Sequence, residues 1–117
     1  MVIYHGGFLS PQKCNLIQKI THSLSAEVPV FFWADIDLSG FQMFFHLQQI
    51  IPELQPMRMS ADDVRKYSSF GLARTEKYLR NLEEMLQKGE HRLFHEAIRE
   101  ILNCGKTIEQ EVFLSDQ

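Results

Sequence analysis

The chain has 117 residues, 44% of them apolar or aromatic and 23% charged, with a formal net charge of −3. That length supports one hydrophobic core. The charge argues against a free-standing, strongly basic nucleic-acid binder, though not against a catalytic piece whose basic grip comes from another domain. Cys14 and Cys104 have no CxxC spacing and form no disulfide framework, which points to a reducing cytosol. No apolar run approaches the ~18 residues of a membrane span.

Val2-Ile3-Tyr4 predicts a short strand stopped by His5-Gly6-Gly7. The chain opens inside this apolar pattern without a basic signal-peptide region, so a fragment of a longer protein is expected. Ser10-Pro11 is a helix start, with Ser as N-cap and Pro at the first helical position. Leu16, Ile17, Ile20 and Leu24 then recur at helical spacing, giving a helix from about Pro11 to Ser25. Val30 to Ile36 is the chain's most apolar strand pattern, suited to burial on both faces of a parallel sheet. Asp35 and Asp37 follow it at i and i+2, so on a continuing strand they share a face. Ser39 is read as the cap of the next helix, and Gly40 as a point of close approach.

Phe41, Phe44, Phe45, Leu47, Ile50 and Ile51 give that helix a broad apolar face, ended by Pro52. Leu54 to Met59 predicts a third strand, weakened by Pro56. The order strand–helix–strand–helix–strand implies an α/β fold with a parallel sheet, and the second half is helix-rich. Ser60-Ala61-Asp62-Asp63 resembles a capping box, and Tyr67 to Gly71 reads as a loop. Thr75 caps a helix closed by Gly89, and Leu93 to Leu102 mark another closed by Gly105. Thr107 and Gln110 are candidate caps for a last helix carrying Glu109 and Glu111.

Two carboxylates at the carboxyl end of a parallel strand sit where ligands collect in open α/β sheets. Their repulsion is usually offset by a hard divalent cation, so Asp35 and Asp37 are candidate metal ligands. The bland alternative is that Asp37 only caps the next helix, which leaves Asp35 without a reason. His5-Gly6-Gly7 belongs at the same sheet end. His91 and His95 are one helical turn apart, but no Cys or third His is near them in sequence, and His22 and His46 read as ordinary helix residues. Arg65, Lys66, Arg74, Lys77 and Arg80 form the one locally basic stretch, either a solvated helix face or a DNA-facing patch.

Tyr4-His5-Gly6-Gly7, the segment Phe32-Trp33-Ala34-Asp35-Ile36-Asp37 with Ser39-Gly40-Phe41, and Ile108-Glu109-Gln110-Glu111 resemble the carboxyl-terminal domain of the Wadjet anti-plasmid nuclease subunits. The resemblance spans most of the chain. It implies a Toprim-like fold over residues 1–117, similar to topoisomerase VI A subunits, with a parallel sheet and flanking helices. It also implies Mg²⁺- or Mn²⁺-dependent phosphodiester cleavage, with Asp35 and Asp37 matching the family's DxD. Its Glu partner has no match here; in the family it precedes the Tyr-His-Gly-Gly segment, so catalysis by residues 1–117 alone is not expected. Ala34 stands where a Gly often precedes the first Asp. Glu109 and Glu111 match a family motif of undefined role; His5, Gly6, Gly7, Ser39 and Gly40 would line the site. The implied partners are plasmid DNA, reached through the full-length protein, and condensin-like Wadjet subunits, with a homodimer left open, in the cytoplasm and away from membranes.

Two other functions compete. A non-catalytic assembly module would use the same fold for docking. A haloacid-dehalogenase-like phosphatase would use Asp35 as nucleophile and press Ser60, Asp62 and Asp63 into service. However, that DxD normally opens the fold and is followed by Thr or Val rather than Leu38-Ser39.

Overall fold

The computed structural model describes residues 2–5, 11–23 and 28–114. Three strands, β1 (Val2–His5), β2 (Phe31–Ala34) and β3 (Gln55–Pro56), form one sheet in that order. Both pairings are parallel, with Val2 opposite Phe31, His5 opposite Ala34, and Phe31 opposite Gln55. Helix α1 (Pro11–His22) connects the first pair and α2 (Leu38–Gln48) the second. The sequence-predicted α/β alternation is therefore the architecture found.

Beyond β3 the chain is mostly helical. It runs through α3 (Ala61–Tyr67), a 3₁₀ turn at Ser68–Phe70, β4 (Leu72–Ala73), α4 (Glu76–Glu84), 3₁₀ turns at Met85–Gln87 and Gly89–Phe94, α5 (His95–Cys104), β5 (Lys106–Thr107) and α6 (Glu111–Leu114). Strands β4 and β5 pair antiparallel, Leu72 opposite Thr107. Among the described residues, no helix is long and apolar enough to cross a membrane.

Burial explains why β2 lies at the centre. Successive residues Phe32 and Trp33 leave opposite faces of the strand, yet both are buried. Phe32 packs against Phe44 of α2 (ring centroids 5.9 Å apart), and Phe41 and Phe44 of α2 meet Phe94 at 4.6 and 5.1 Å. Trp33 meets the edge of Phe113 in α6 at 5.9 Å, and Phe113 in turn packs on Tyr67 of α3 at 4.5 Å. One face of the sheet is thus covered by α2 and the turn before α5, the other by α3 and α6. Each fully buried aromatic contributes ~1.5–3 kcal/mol by apolar transfer alone.

Several boundaries differ from the sequence expectation, for local reasons. Asp37, not Ser39, is the N-cap of α2, with extended backbone (φ −153°, ψ 178°); Ser39 is already inside the helix. Strand β2 stops at Ala34, so Asp35 and Asp37 do not lie on a continuing strand. Helix α2 stops at Gln48, before Pro52, and β3 shortens to Gln55–Pro56, with the Gln55 and Met57 N–H groups donating to the Val30 and Phe32 carbonyls. The expected 67–71 loop contains a 3₁₀ turn, and Gly89 opens another rather than closing a helix. Thr107 is a buried strand residue rather than a cap. The Ser60–Asp63 capping box, the Thr75 cap and the left-handed Gly105 (φ 73°) stand as expected. Gly6, Gly7 and the predicted cap Ser10 lie outside the described residues.

The aromatic seam sets the stability scale. Phe41→Ala should cost ~3–5 kcal/mol in urea unfolding, whereas Phe70→Ala, at a side chain 71% exposed, should stay within ~0.5 kcal/mol. Similar losses at both positions would contradict this placement of the core.

Candidate carboxylate site at the sheet edge

The site begins where β2 ends. Ile36 N–H donates to the Ile108 carbonyl at 2.7 Å, and Ile108 N–H returns a bond to the Ile36 carbonyl at 3.3 Å, an isolated antiparallel bridge. Both isoleucines are fully buried. The bridge lays residues 108–110 alongside the DxD. The Gln110 N–H then donates to Asp35 Oδ1 at 2.7 Å. Asp35 therefore has a structural task that spacing alone does not reveal, and among the described residues its Oδ2 has no hydrogen-bond donor.

Asp37 is held from the other side. Its Oδ1 accepts from Gly40 N–H at 2.8 Å, and its carbonyl accepts from Phe41 N–H at 3.0 Å, the usual way an N-cap satisfies a helix start. Gly40 is required by close approach: a Cβ there would lie 2.1 Å from the Asp35 carbonyl oxygen. The packing of the first turn of α2 onto Asp35 thus fixes the two aspartates relative to each other.

Two residues from the helical half complete the site. The Leu38 N–H at the start of α2 donates to the Tyr78 hydroxyl of α4 at 2.8 Å. Arg74 places Nη2 3.9 Å from Asp37 Oδ2, donates from Nε to the buried Thr107 Oγ1 at 2.7 Å, and lays its guanidinium 4.6 Å from the Tyr78 ring centroid. Nothing in the sequence spacing pairs Arg74 or Tyr78 with Asp37; the only signal was Arg74's place in the basic stretch. The rest of that stretch is largely engaged within the molecule: Arg65 with Asp62 and Glu100, Arg80 with Glu76, and Lys66 over the Tyr67 ring. This favours a solvated helix face over a DNA-facing patch.

Electrostatics adds Glu109 and omits Glu111. Burial pushes the Asp37 carboxyl above its ordinary value; the Gly40 N–H and the Arg74 charge act against this, while the Asp35 and Glu109 charges push further up. Glu111, the exposed first residue of α6, is not among the charges acting on Asp37. Burial likewise raises the Tyr78 hydroxyl, with Asp37 and Asp35 adding to the shift. The His5 backbone reaches the same sheet edge through its register with Ala34. Ser39 is exposed in the first turn of α2.

The remaining sequence candidates separate from this cluster. His91 is buried at a non-helical kink (φ −104°, ψ 16°), which breaks the turn-apart geometry with His95; His95 Nε2 instead lies 3.1 Å from the Lys88 carbonyl. Burial lowers the His91 pKa. Ser60 and Asp63 are consumed by their capping box and Asp62 by Arg65, leaving the phosphatase reading without its second set of groups. Among the described residues, no three His, Cys, Asp or Glu side chains are arranged to hold a metal ion. The hard oxygen donors of Asp35 and Asp37 fit a cation held by one or two carboxylates, with water and phosphate filling the remaining positions, the usual habit of Mg²⁺.

Two outcomes follow from the geometry. Gly40→Ala should destabilise by at least ~1–3 kcal/mol, because Cβ meets backbone rather than a flexible side chain, and should shift the Gln110 amide resonance; an unshifted Gln110 amide would contradict the coupling. For Asp37, the folded pKa is raised, so the folded state binds this proton more readily than the unfolded chain. The stability this group contributes is full below the unfolded carboxylate value and is lost as pH rises through the raised folded value. Asp37→Asn keeps an acceptor for Gly40 N–H and removes that loss. The variant should therefore gain on the parent as pH rises through the raised folded value and show no such gain below the unfolded carboxylate value, read by urea unfolding across pH. A difference independent of pH would contradict it.

Over residues 1–117 the chain matches the family described as Wadjet protein JetD, C-terminal. It is 32% identical over 116 residues to the Wadjet protein JetD of Bacillus cereus (strain Q1). That alignment covers 97% of this chain but only 28% of the relative's length. No solved structure matches the chain. The family match spans the whole chain, the Asp35–Asp37 segment and residues 108–111 included, and the chain belongs to the carboxyl-terminal family of the Wadjet protein JetD.

Proposed function

We propose that this chain supplies the carboxylate half of a metal-dependent, Toprim-like DNA endonuclease site within an anti-plasmid defence protein. The observation that carries the proposal is the pair Asp35 and Asp37 at the carboxyl edge of a parallel sheet, each fixed through Oδ1 by a backbone N–H and left with Oδ2 for other work. Asp35 and Asp37 would hold Mg²⁺ or Mn²⁺, with Glu109 close enough to add to the local negative field. The cation would supply charge neutralisation on a phosphate oxygen and orientation of the attacking group. The protein's own contribution is positional: Gly40 and Gln110 N–H groups lock the carboxylates, and Tyr78 anchors the helix start behind them. The Arg58 guanidinium, on a backbone with φ 55° just after β3, rests 5.2 Å from the Trp33 ring centroid and adds a positive group beside β2.

DNA, other Wadjet subunits and a second copy of the chain are the partners this reading implies for the longer protein. With a net charge of −3, these 117 residues would have little affinity of their own for a polyanion. One observation favours a non-catalytic docking module instead: both Oδ1 atoms already serve the fold.

The longer protein carrying Asp37→Ala should lose Mg²⁺- or Mn²⁺-dependent cleavage of plasmid DNA by at least ~10²-fold, an effect of the size expected when a charge-stabilising group is removed. DNA binding in a gel-shift assay should stay within about twofold, because phosphate contacts elsewhere carry affinity. Undiminished cutting by Asp37→Ala and Asp35→Ala would favour the docking module.

A further inference from the structure

Arg74 is set against Asp37 by geometry that does not depend on charge. Its Nε is tied to Thr107, a residue 1% exposed on β5, and its guanidinium carbon lies over the Tyr78 ring of α4, 4.6 Å from the centroid. A guanidinium held at two points has little freedom to swing away, and Arg, unlike Lys, stays charged and presents a rigid fork of donors. Yet its approach to Asp37 is long, Nη2 to Oδ2 at 3.9 Å, with the two side chains 25% and 14% exposed. It sets a positive charge near the carboxylate without forming a short bidentate pair. That leaves Asp37 Oδ2 available, and leaves Arg74 donors uncommitted beside it.

We infer that Arg74 is a built-in countercharge of the Asp35/Asp37 pair, weakening cation binding to the empty site and contributing a donor for a phosphate oxygen once substrate is bound. The inference rests on the cation reading above. Physically, a fixed positive charge a few ångströms from the cation position opposes cation entry. The same charge attracts a phosphodiester, so cation and phosphate would be favoured together over either alone. Arg74 is then a residue that couples substrate to metal, and the long ion pair is what permits the exchange.

Mn²⁺ titration of the 117-residue chain, followed by paramagnetic broadening of the Gly40 and Gln110 amides, tests this without any cleavage assay. Those amides donate directly to Asp37 and Asp35. The parent should bind weakly, and Asp37→Asn should abolish the selective broadening. Arg74→Gln, which keeps an N–H donor for Thr107, should bind Mn²⁺ about tenfold more tightly, the scale of one partly exposed unit charge removed from the vicinity. In the parent, the Arg74 Nε–Hε resonance should move during a diamagnetic Mg²⁺ titration with the same midpoint as the Gly40 amide; this measurement decides the matter if Arg74→Gln loses its dispersed spectrum. Selective broadening in the parent with unchanged or weaker affinity in a folded Arg74→Gln, or an Nε–Hε resonance that stays fixed to saturation, would overturn the inference and leave the cation site standing. No selective broadening of Gly40 or Gln110 at millimolar Mn²⁺ would overturn the cation site and this inference with it.

Discussion

The backbone bridge between Ile36 and Ile108 is the constraint on which the site depends. Without it, nothing in the backbone pairing would hold the exit of β2 against the segment carrying Glu109. With it, two fully buried isoleucines clamp the exit of β2 to the approach of α6. The acids of the site follow within two residues on either side: Asp35 and Asp37 flank Ile36 just past the end of β2, and Glu109 and the Gln110 N–H follow Ile108. The bridge also joins the two halves of the chain, because β5, which pairs with β4 and presents Thr107 to Arg74, runs straight into it. A pair of backbone hydrogen bonds in a dry setting is strong enough for this role because neither partner has water as an alternative.

The fold was legible wherever one segment carried its own signal. The parallel sheet followed from three apolar runs separated by helical periodicity, and the caps at Ser60, Thr75 and Gly105 followed from residue types whose local chemistry has few alternatives. What was not legible was pairing between distant short segments. Leu72–Ala73 and Lys106–Thr107 are two-residue strands, too short to show a period of two, and their existence depends on the helices that bring them together. The same limit applies to the site. Asp35 and Asp37 stood out because their strand is so apolar, whereas Arg74 and Tyr78 reach them across some forty residues of sequence. Asp37 was weighed as a cap against a role in the site; the geometry gives it the cap, and the cap leaves Oδ2 turned toward Arg74.

Charge organises the cluster as burial organises the core. Among the described residues, the Asp35 and Glu109 charges act on Asp37 against the Arg74 guanidinium, so with Asp37 ionised the local balance is negative. Burial first, and these acidic neighbours after it, make Asp37 a carboxyl that holds its proton more tightly than usual. Solvent cannot relieve the imbalance fully, because the Asp37 side chain is only 14% exposed. On the cation reading proposed above, a phosphate arriving with the metal would meet Arg74 rather than bare carboxylates.

The division of labour within each aspartate governs how the site is to be probed. In both residues Oδ1 is committed to a backbone N–H that belongs to the fold, from Gln110 in one case and Gly40 in the other. Replacing the carboxyl by methyl removes the acceptor as well as the charge, leaving a helix N-terminus or a bridging loop with an unmatched N–H, a cost of ~1–3 kcal/mol where water is excluded. An Asn side chain retains the acceptor and removes the charge, so it separates the two tasks. A deficit that appears with Asn belongs to the charged oxygens and whatever they bind, while a deficit that appears only with Ala belongs to the cap and the bridge. The comparison therefore discriminates chemistry from docking at the same two positions, since a module that used these residues only to hold its shape would accept Asn at both.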